Sequence, residues 1–155
     1  MRIPYLKSAL AEALALEGQL AEAMSAIEEC VEQIERPGYQ ERIWLPEVLR
    51  IKGWVTKLQG RHSEAEDTLR AAVDLAHRQG TKSWELRSAL ALAHLLTEQR
   101  RHQAAQDALS SICSWFPEGA DTQDLAEARA LLRHLASELQ VPAHASRRAE
   151  IANHE

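Results

Sequence analysis

This sequence of 155 residues predicts an all-α fold built from repeated helix pairs. Three observations carry that reading. Ala, Leu, Glu, Gln and Arg dominate while β-branched residues are sparse, a composition that favours helix. No segment alternates apolar and polar residues with period two, so no strand is expected. The helix breaks also recur: Gly18, Gly60 and Arg100 each follow one long apolar-periodic stretch and precede another, at intervals of 42 and 40 residues.

Apolar residues at helical spacing mark seven helices. The first, over 4–17, carries Tyr5, Leu6, Ala9, Leu10, Ala13, Leu14 and Leu16, more than one buried stripe requires. Part of that surface is expected to stay exposed, which predicts either a homodimer through the N-terminal helix edge or an edge that once met further repeats. Gly18 ends it, and a second helix over 20–35 stops at Pro37-Gly38. The third spans 41–58 and stops at Gly60; the fourth spans 62–78 and stops at Gly80. Trp84 opens the fifth, over 82–98, where it is placed to staple the joint between successive pairs. The polar run QRRH separates the fifth from the sixth, over 102–115, and Pro117 with Gly119 closes that one. In SWFPEG, Trp115 and Phe116 suit an apolar plug under the last helix. Asp121 and Thr122 are caps for the seventh helix, over 122–139, with Asp124 adding negative charge near its N-terminus. Residues 1–140 thus form one helical domain, and 141–155, VPAHASRRAEIANHE, lack a periodic face and are expected to form a disordered tail.

The copies align in detail. GQLAEAMSAIEECVEQI, GRHSEAEDTLRAAVDLA and RRHQAAQDALSSICSWF each place an alanine five residues after the break (Ala23, Ala65, Ala105). A large aliphatic follows four later (Ile27, Leu69, Leu109), then a further apolar residue three beyond (Cys30, Ala72, Ile112). Steps of four and three lie on one helix stripe, and the alanine is small enough to admit a neighbouring helix closely.

With Gly53 seven residues before Gly60, this unit resembles the tetratricopeptide repeat, in a form longer than the usual ~34 residues. The stretches LRIKGWVTKLQGRHSEAEDTLRAAVDLAHRQGTKSWELRSALALAHLL and SWFPEGADTQDLAEARALL are similar to the C-terminal repeat region of bacterial adenylate or guanylate cyclase-type and ATPase transcriptional regulators. The resemblance implies a right-handed α-solenoid of about three repeats plus a C-terminal capping helix. It further implies a protein-binding role within a signalling system. Arg100 departs from the pattern, which has Gly there, and argues against a tight third turn.

Composition excludes several other classes. Net charge is −5, and residues 1–35 supply all of it with seven acids against two bases, while the remainder balances. An acidic end without a basic tract opposes nucleic-acid binding. Nothing near the N-terminus reads as a signal peptide and no apolar run approaches the ~20 residues that span a bilayer, so a cytoplasmic protein with no membrane partner is expected. Cys30 and Cys113 have neither disulfide-framework nor metal-ligand spacing. His62/Glu66, His94/Glu98 and His134/Glu138 each share a helix face, but two ligands do not make a metal site and HExxH is absent. There is no GxxxxGK[ST] and no GxSxG. No catalytic residue, cofactor or metal is assigned, and the chain is expected not to be an enzyme.

The groove lined by the first helix of each pair is the expected working surface, since extended concave faces are what such repeats use. Carrying the tetratricopeptide pattern across points to Tyr5 and Glu12 on the first helix, with Ser8 and Leu16. On the third it points to Arg50, Trp54 and Lys57, with Leu58, and on the fifth to Arg87, Leu90, His94 and Glu98. Arg50, Trp54 and Lys57 step by four and three and share a face on spacing alone. A Trp beside three cations suits an acidic peptide or protein partner. A ligand- or peptide-sensing module, or a remnant of a larger cyclase or ATPase regulator, is the alternative.

Overall fold

The tight turns at Gly18, Gly60, Gly80 and Arg100 are each made by a residue that adopts the left-handed conformation. At Gly18 (φ 81°) and Gly60 (φ 80°) the helix closes with the same pair of backbone bonds. Gly18 N–H donates to the Ala15 carbonyl at 3.1 Å and Gln19 N–H to Leu14 at 2.9 Å; Gly60 N–H donates to Lys57 at 2.8 Å and Arg61 N–H to Thr56 at 3.2 Å. Such bonds satisfy carbonyls that a helix end leaves open. Arg100, expected to loosen the third turn, behaves as the glycines do. Its φ is 59°, its N–H donates to Thr97 at 2.9 Å, and Arg101 N–H donates to Leu96 at 2.9 Å. The third turn is therefore as tight as the other two, with repeat packing overriding the steric preference of an L side chain.

The structure, a computed structural model, describes residues 3–39, 42–117, 119–120 and 122–140, the side chains of residues 3–5 excepted. The expected tail at 141–155 lies outside the described residues, as does Asp121. Within the described residues there are seven α-helices and no strand: α1 (Ile3–Leu16), α2 (Leu20–Glu35), α3 (Leu45–Leu58), α4 (His62–Gln79), α5 (Lys82–Glu98), α6 (His102–Trp115) and α7 (Gln123–Gln140). Six of the seven lie within one residue of the spans expected from sequence. The exception is α3, which begins at Leu45 after a 3-10 turn at Arg42–Trp44 rather than at 41. Pro46 explains the difference, because its missing N–H is tolerated only in a helix's first turn. At α7, Leu125 N–H donates to Thr122 Oγ1 at 3.3 Å, so Thr122 caps that helix.

The helices pack consecutively, and α1, α3, α5 and α7 also pack against one another in that order, which α2, α4 and α6 do not match. The odd-numbered helices therefore form one continuous face. The aligned stripe of all three copies is buried: Ala23, Ala65 and Ala105, then Ile27, Leu69 and Leu109, then Cys30, Ala72 and Ile112. Gly53 sits where α3 crosses α4, with a Cβ position only 2.7 Å from Leu69 Cγ and 3.3 Å from the Ala65 carbonyl. The apolar core falls into two clusters. One joins Ala11 and Ala15 to Ile27, Ile34, Val48, Ile51 and Val55 across α1 to α3. The other runs from Ala65 and Leu69 through the leucines of α5 to Leu109, Leu125 and Leu135. Trp84 meets Trp44 edge to face at 5.9 Å, tying the start of α5 to the residue before α3. Phe116 packs on the second cluster, whereas Trp115 is exposed beside it, so Phe116 alone is the plug.

Candidate binding groove

A cavity of about 300 Å³ opens on the odd-numbered face. Helix α5 contributes Arg87, Leu90, Ala91, His94 and Glu98; α3 contributes Arg50, Trp54 and Lys57; α7 contributes Asp124 and Glu127. Leu69 reaches its floor from α4, in the space that Gly53 leaves by having no side chain. Seven residues expected from sequence, namely Arg50, Trp54, Lys57, Arg87, Leu90, His94 and Glu98, are thus brought to one cavity. Glu12 does not line it but bonds to Arg50 from α1. The Tyr5 side chain lies outside the described residues. Ser8 is buried, and neither Leu16 nor Leu58, both exposed, reaches the cavity.

Beneath the opening runs a chain of alternating charges that spans all four odd-numbered helices. Arg50 Nη2 donates to Glu12 Oε1 of α1 at 3.1 Å. The same guanidinium grips Glu47 in two-pronged fashion, Nε to Oε2 at 2.8 Å and Nη2 to Oε1 at 2.9 Å. Arg87 Nη1 of α5 meets Glu47 Oε1 at 2.7 Å, and Arg87 Nε lies 3.6 Å from Asp124 Oδ2 of α7. Burial opposes the charged form of Arg50, yet the hydrogen bonds and charge of Glu47, joined by Glu12, outweigh it and raise its pKa above the ordinary value. Two of the three cations expected to face a ligand are therefore engaged within the fold. The third, Lys57, donates to Glu98 across to α5 at 2.5 Å. The free positive charge that suggested an acidic ligand is not there, because the carboxylates that absorb it come from distant parts of the chain.

Sequence reasoning missed Glu47, Asp124 and Glu127. Glu47 and Asp124 stand 40 and 37 residues from Arg87, and Glu127 stands 33 from His94, so no local spacing signals these pairs. The one usable hint was that Asp124 and Glu127 are three apart and share a helix face. His94, paired on sequence grounds with Glu98, instead has Nε2 at 2.8 Å from Glu127 Oε1. Among the described residues no group of three His, Cys, Asp or Glu is placed to hold a metal ion. Cys30 and Cys113 are buried thiols outside any disulfide whose pKa values burial pushes up, an arrangement opposed to nucleophilic use. Among the described residues, no helix is long and apolar enough to cross a membrane.

No model of a known protein family matches this chain, and no curated protein matches it either.

Proposed function

We propose that the chain is a tetratricopeptide-like scaffold, a right-handed α-solenoid of about three helix pairs with α7 as cap. It acts without bond chemistry by holding a peptide segment of a partner protein in the groove across α3, α5 and α7. The observation that carries this is the convergence of Trp54, Leu90 and Ala91 with seven charged or histidine side chains on one open cavity. An apolar anchor ringed by polar groups is the usual makeup of a recognition site. The paired-helix register and the resemblance to cytoplasmic bacterial signalling regulators support the same reading.

The test is affinity capture from source lysate with the wild-type chain and two groove variants, Trp54→Ala and Ala91→Phe. One removes the anchor, the other fills the cavity, and both leave the buried charges intact. Arg50 is the wrong residue to change, since its loss strands Glu47 in the interior. A partner held by wild type and lost from both still-helical variants supports the groove. One retained equally by all three refutes it.

A second surface belongs to the same proposal. On α1, Leu6, Ala9, Leu10, Ala13 and Leu16 are exposed at helical spacing, and no described element covers them. Leucines alternating with alanines make a self-complementary stripe, which suits a second copy packed about a two-fold axis. Sedimentation equilibrium should show a dimer for wild type and a monomer for Leu10→Glu; a wild-type monomer at high concentration excludes it.

A further inference from the structure

The depth at which the groove holds its charges, positive below and negative above, decides what kind of segment can enter. The three cations are submerged: the Arg50 side chain is 11% exposed, Lys57 20% and Arg87 31%. The carboxylates stand proud of them, with Asp124 at 43%, Glu127 at 50% and Glu98 at 54%. Counting also the buried Glu47 and, at the cavity's edge, Glu12, five carboxylates surround three cations at this site. An entering ligand therefore meets negative charge first.

The carboxylates also differ in how fully they are engaged. Glu47 accepts two hydrogen bonds from Arg50, pairs with Arg87 at 2.7 Å and is 4% exposed, which closes it to a ligand. Among the described residues, Asp124 has only the 3.6 Å approach of Arg87, which exceeds hydrogen-bond length, and Glu127 has only His94. Both stand in the first part of α7, three residues apart and on one face, and both line the cavity. On the other side of α5 stands half-buried Trp54, with Leu90, Ala91 and Leu69 forming an apolar floor between. A ring face attracts cations as well as apolar groups.

From this arrangement we infer that the groove selects a basic segment of its partner. A Lys or Arg side chain lays its aliphatic stem on Trp54 and Leu90 and directs its charge at Asp124 and Glu127. Long basic side chains suit such a site because they are apolar along the stem and charged only at the tip. An acidic segment is repelled at the rim before it reaches the buried guanidiniums, which Glu47 and Glu12 already neutralise. The inference rests on the groove reading above and adds the sign of the ligand to it.

The probe is a pool of eight-residue synthetic peptides, N-acetylated and C-amidated. The middle four positions are randomised over all residues except Cys, with Ala and Ser flanking. The pool is passed over the immobilised full chain at low salt, and the retained fraction is read by mass spectrometry. Lys and Arg are expected to be enriched severalfold over Asp and Glu. The double variant Asp124→Asn, Glu127→Gln is expected to abolish that enrichment while its circular dichroism and Tm stay close to wild type. Trp54→Ala should reduce retention of basic peptides without inverting the preference. Retention that favours Asp and Glu and is lost in Trp54→Ala would overturn the charge assignment and leave the groove standing. Retention of nothing, or retention indifferent to Trp54→Ala, would overturn both. Basic enrichment that survives in the Asp124, Glu127 double variant would place it on the acidic α1–α2 end and also overturn this assignment.

Discussion

Arg100 shows how far packing can press a single residue. It holds φ at 59° in a turn whose counterparts use Gly18 and Gly60. An L residue there bears about 1–2 kcal/mol of steric cost, partly offset because glycine loses about 0.5–1 kcal/mol more conformational freedom on folding. Arg100→Gly is therefore expected to stabilise the protein by about 0.5 kcal/mol, raising Tm by roughly 1–3 °C. Arg100→Ala, which keeps the Cβ, should leave Tm nearly unchanged; equal gains from both would mean that the side chain, not the backbone, carries the strain. One position on, Arg101 makes a different contribution. Its Nη1 donates to Glu66 Oε2 at 2.6 Å, while Arg70 donates to the other oxygen at 2.7 Å. Those hydrogen bonds, Arg101's first, hold the Glu66 carboxyl below its usual value of 4.5. A depressed folded-state pKa means that the unfolded chain takes up the proton first as pH falls. The contribution is thus complete above about pH 5 and is lost progressively as pH drops through 4.5 toward the folded value. Urea titrations from pH 7 to pH 3 should show a shallower acid loss for Glu66→Gln than for wild type, and identical slopes would remove Glu66 from the acid transition.

Between elements, the closest approach is that of α3 to α4 at Gly53. In an exposed helix, Gly→Ala gains about 1 kcal/mol. Here a Cβ would stand 2.7 Å from Leu69 Cγ, closer than side-chain atoms approach, and beside the Ala65 carbonyl. The overpacking cost of about 1–3 kcal/mol outweighs the propensity gain. Gly53→Ala is expected to lower Tm by a few degrees and, by displacing Leu69, to reshape the groove floor. A Tm at or above wild type would show that α4 yields freely. The elements themselves were legible in the sequence to within one residue in six cases, because Gly18, Gly60, Gly80 and Pro117 end helices by backbone rules that need no tertiary partner. Helix α3 was misread at its start because apolar periodicity continues through Ile43 and Trp44 although Pro46 confines the helix proper to Leu45 onward. Seven of the nine residues expected at the groove line one cavity for a related reason: steps of three and four on the first helix of each pair define one face wherever that helix packs. The charges that answer them were not, since Glu47 meets Arg87 and Glu127 meets His94 only once separate helices have assembled.

At the scale of the molecule, the division of the core governs how the protein should open. The cluster spanning α1 to α3 is the smaller, and its outermost helix leaves Leu6, Leu10 and Leu16 exposed. The cluster spanning α4 to α7 is larger and is closed by α7, with Leu125, Ala128 and Leu135 fully buried. In a linear stack each unit is stabilised only by its neighbours, so the end with fewer buried contacts opens at lower free energy. The contacts that couple the two halves include the packing of α3 on α4 at the Gly53 crossing, the Glu47–Arg87 and Lys57–Glu98 bridges from α3 to α5, and the Trp44–Trp84 pair. Native-state hydrogen exchange is therefore expected to release α1 and α2 amides first, α5 and α6 last, and α3 with one group or the other. Breaking the bridge with Glu47→Gln leaves two guanidinium groups short of a carboxylate and should cost about 3–5 kcal/mol. It should also widen the gap between the two exchange groups, because α3 then follows α1 and α2 rather than α5. Uniform exchange across all helices in wild type would instead mean that the bridge and the Gly53 crossing make the seven helices one cooperative unit. In that case a ligand bound across α3, α5 and α7 would stabilise α1 as strongly as α5, whereas two separable halves confine its protection to the helices it touches.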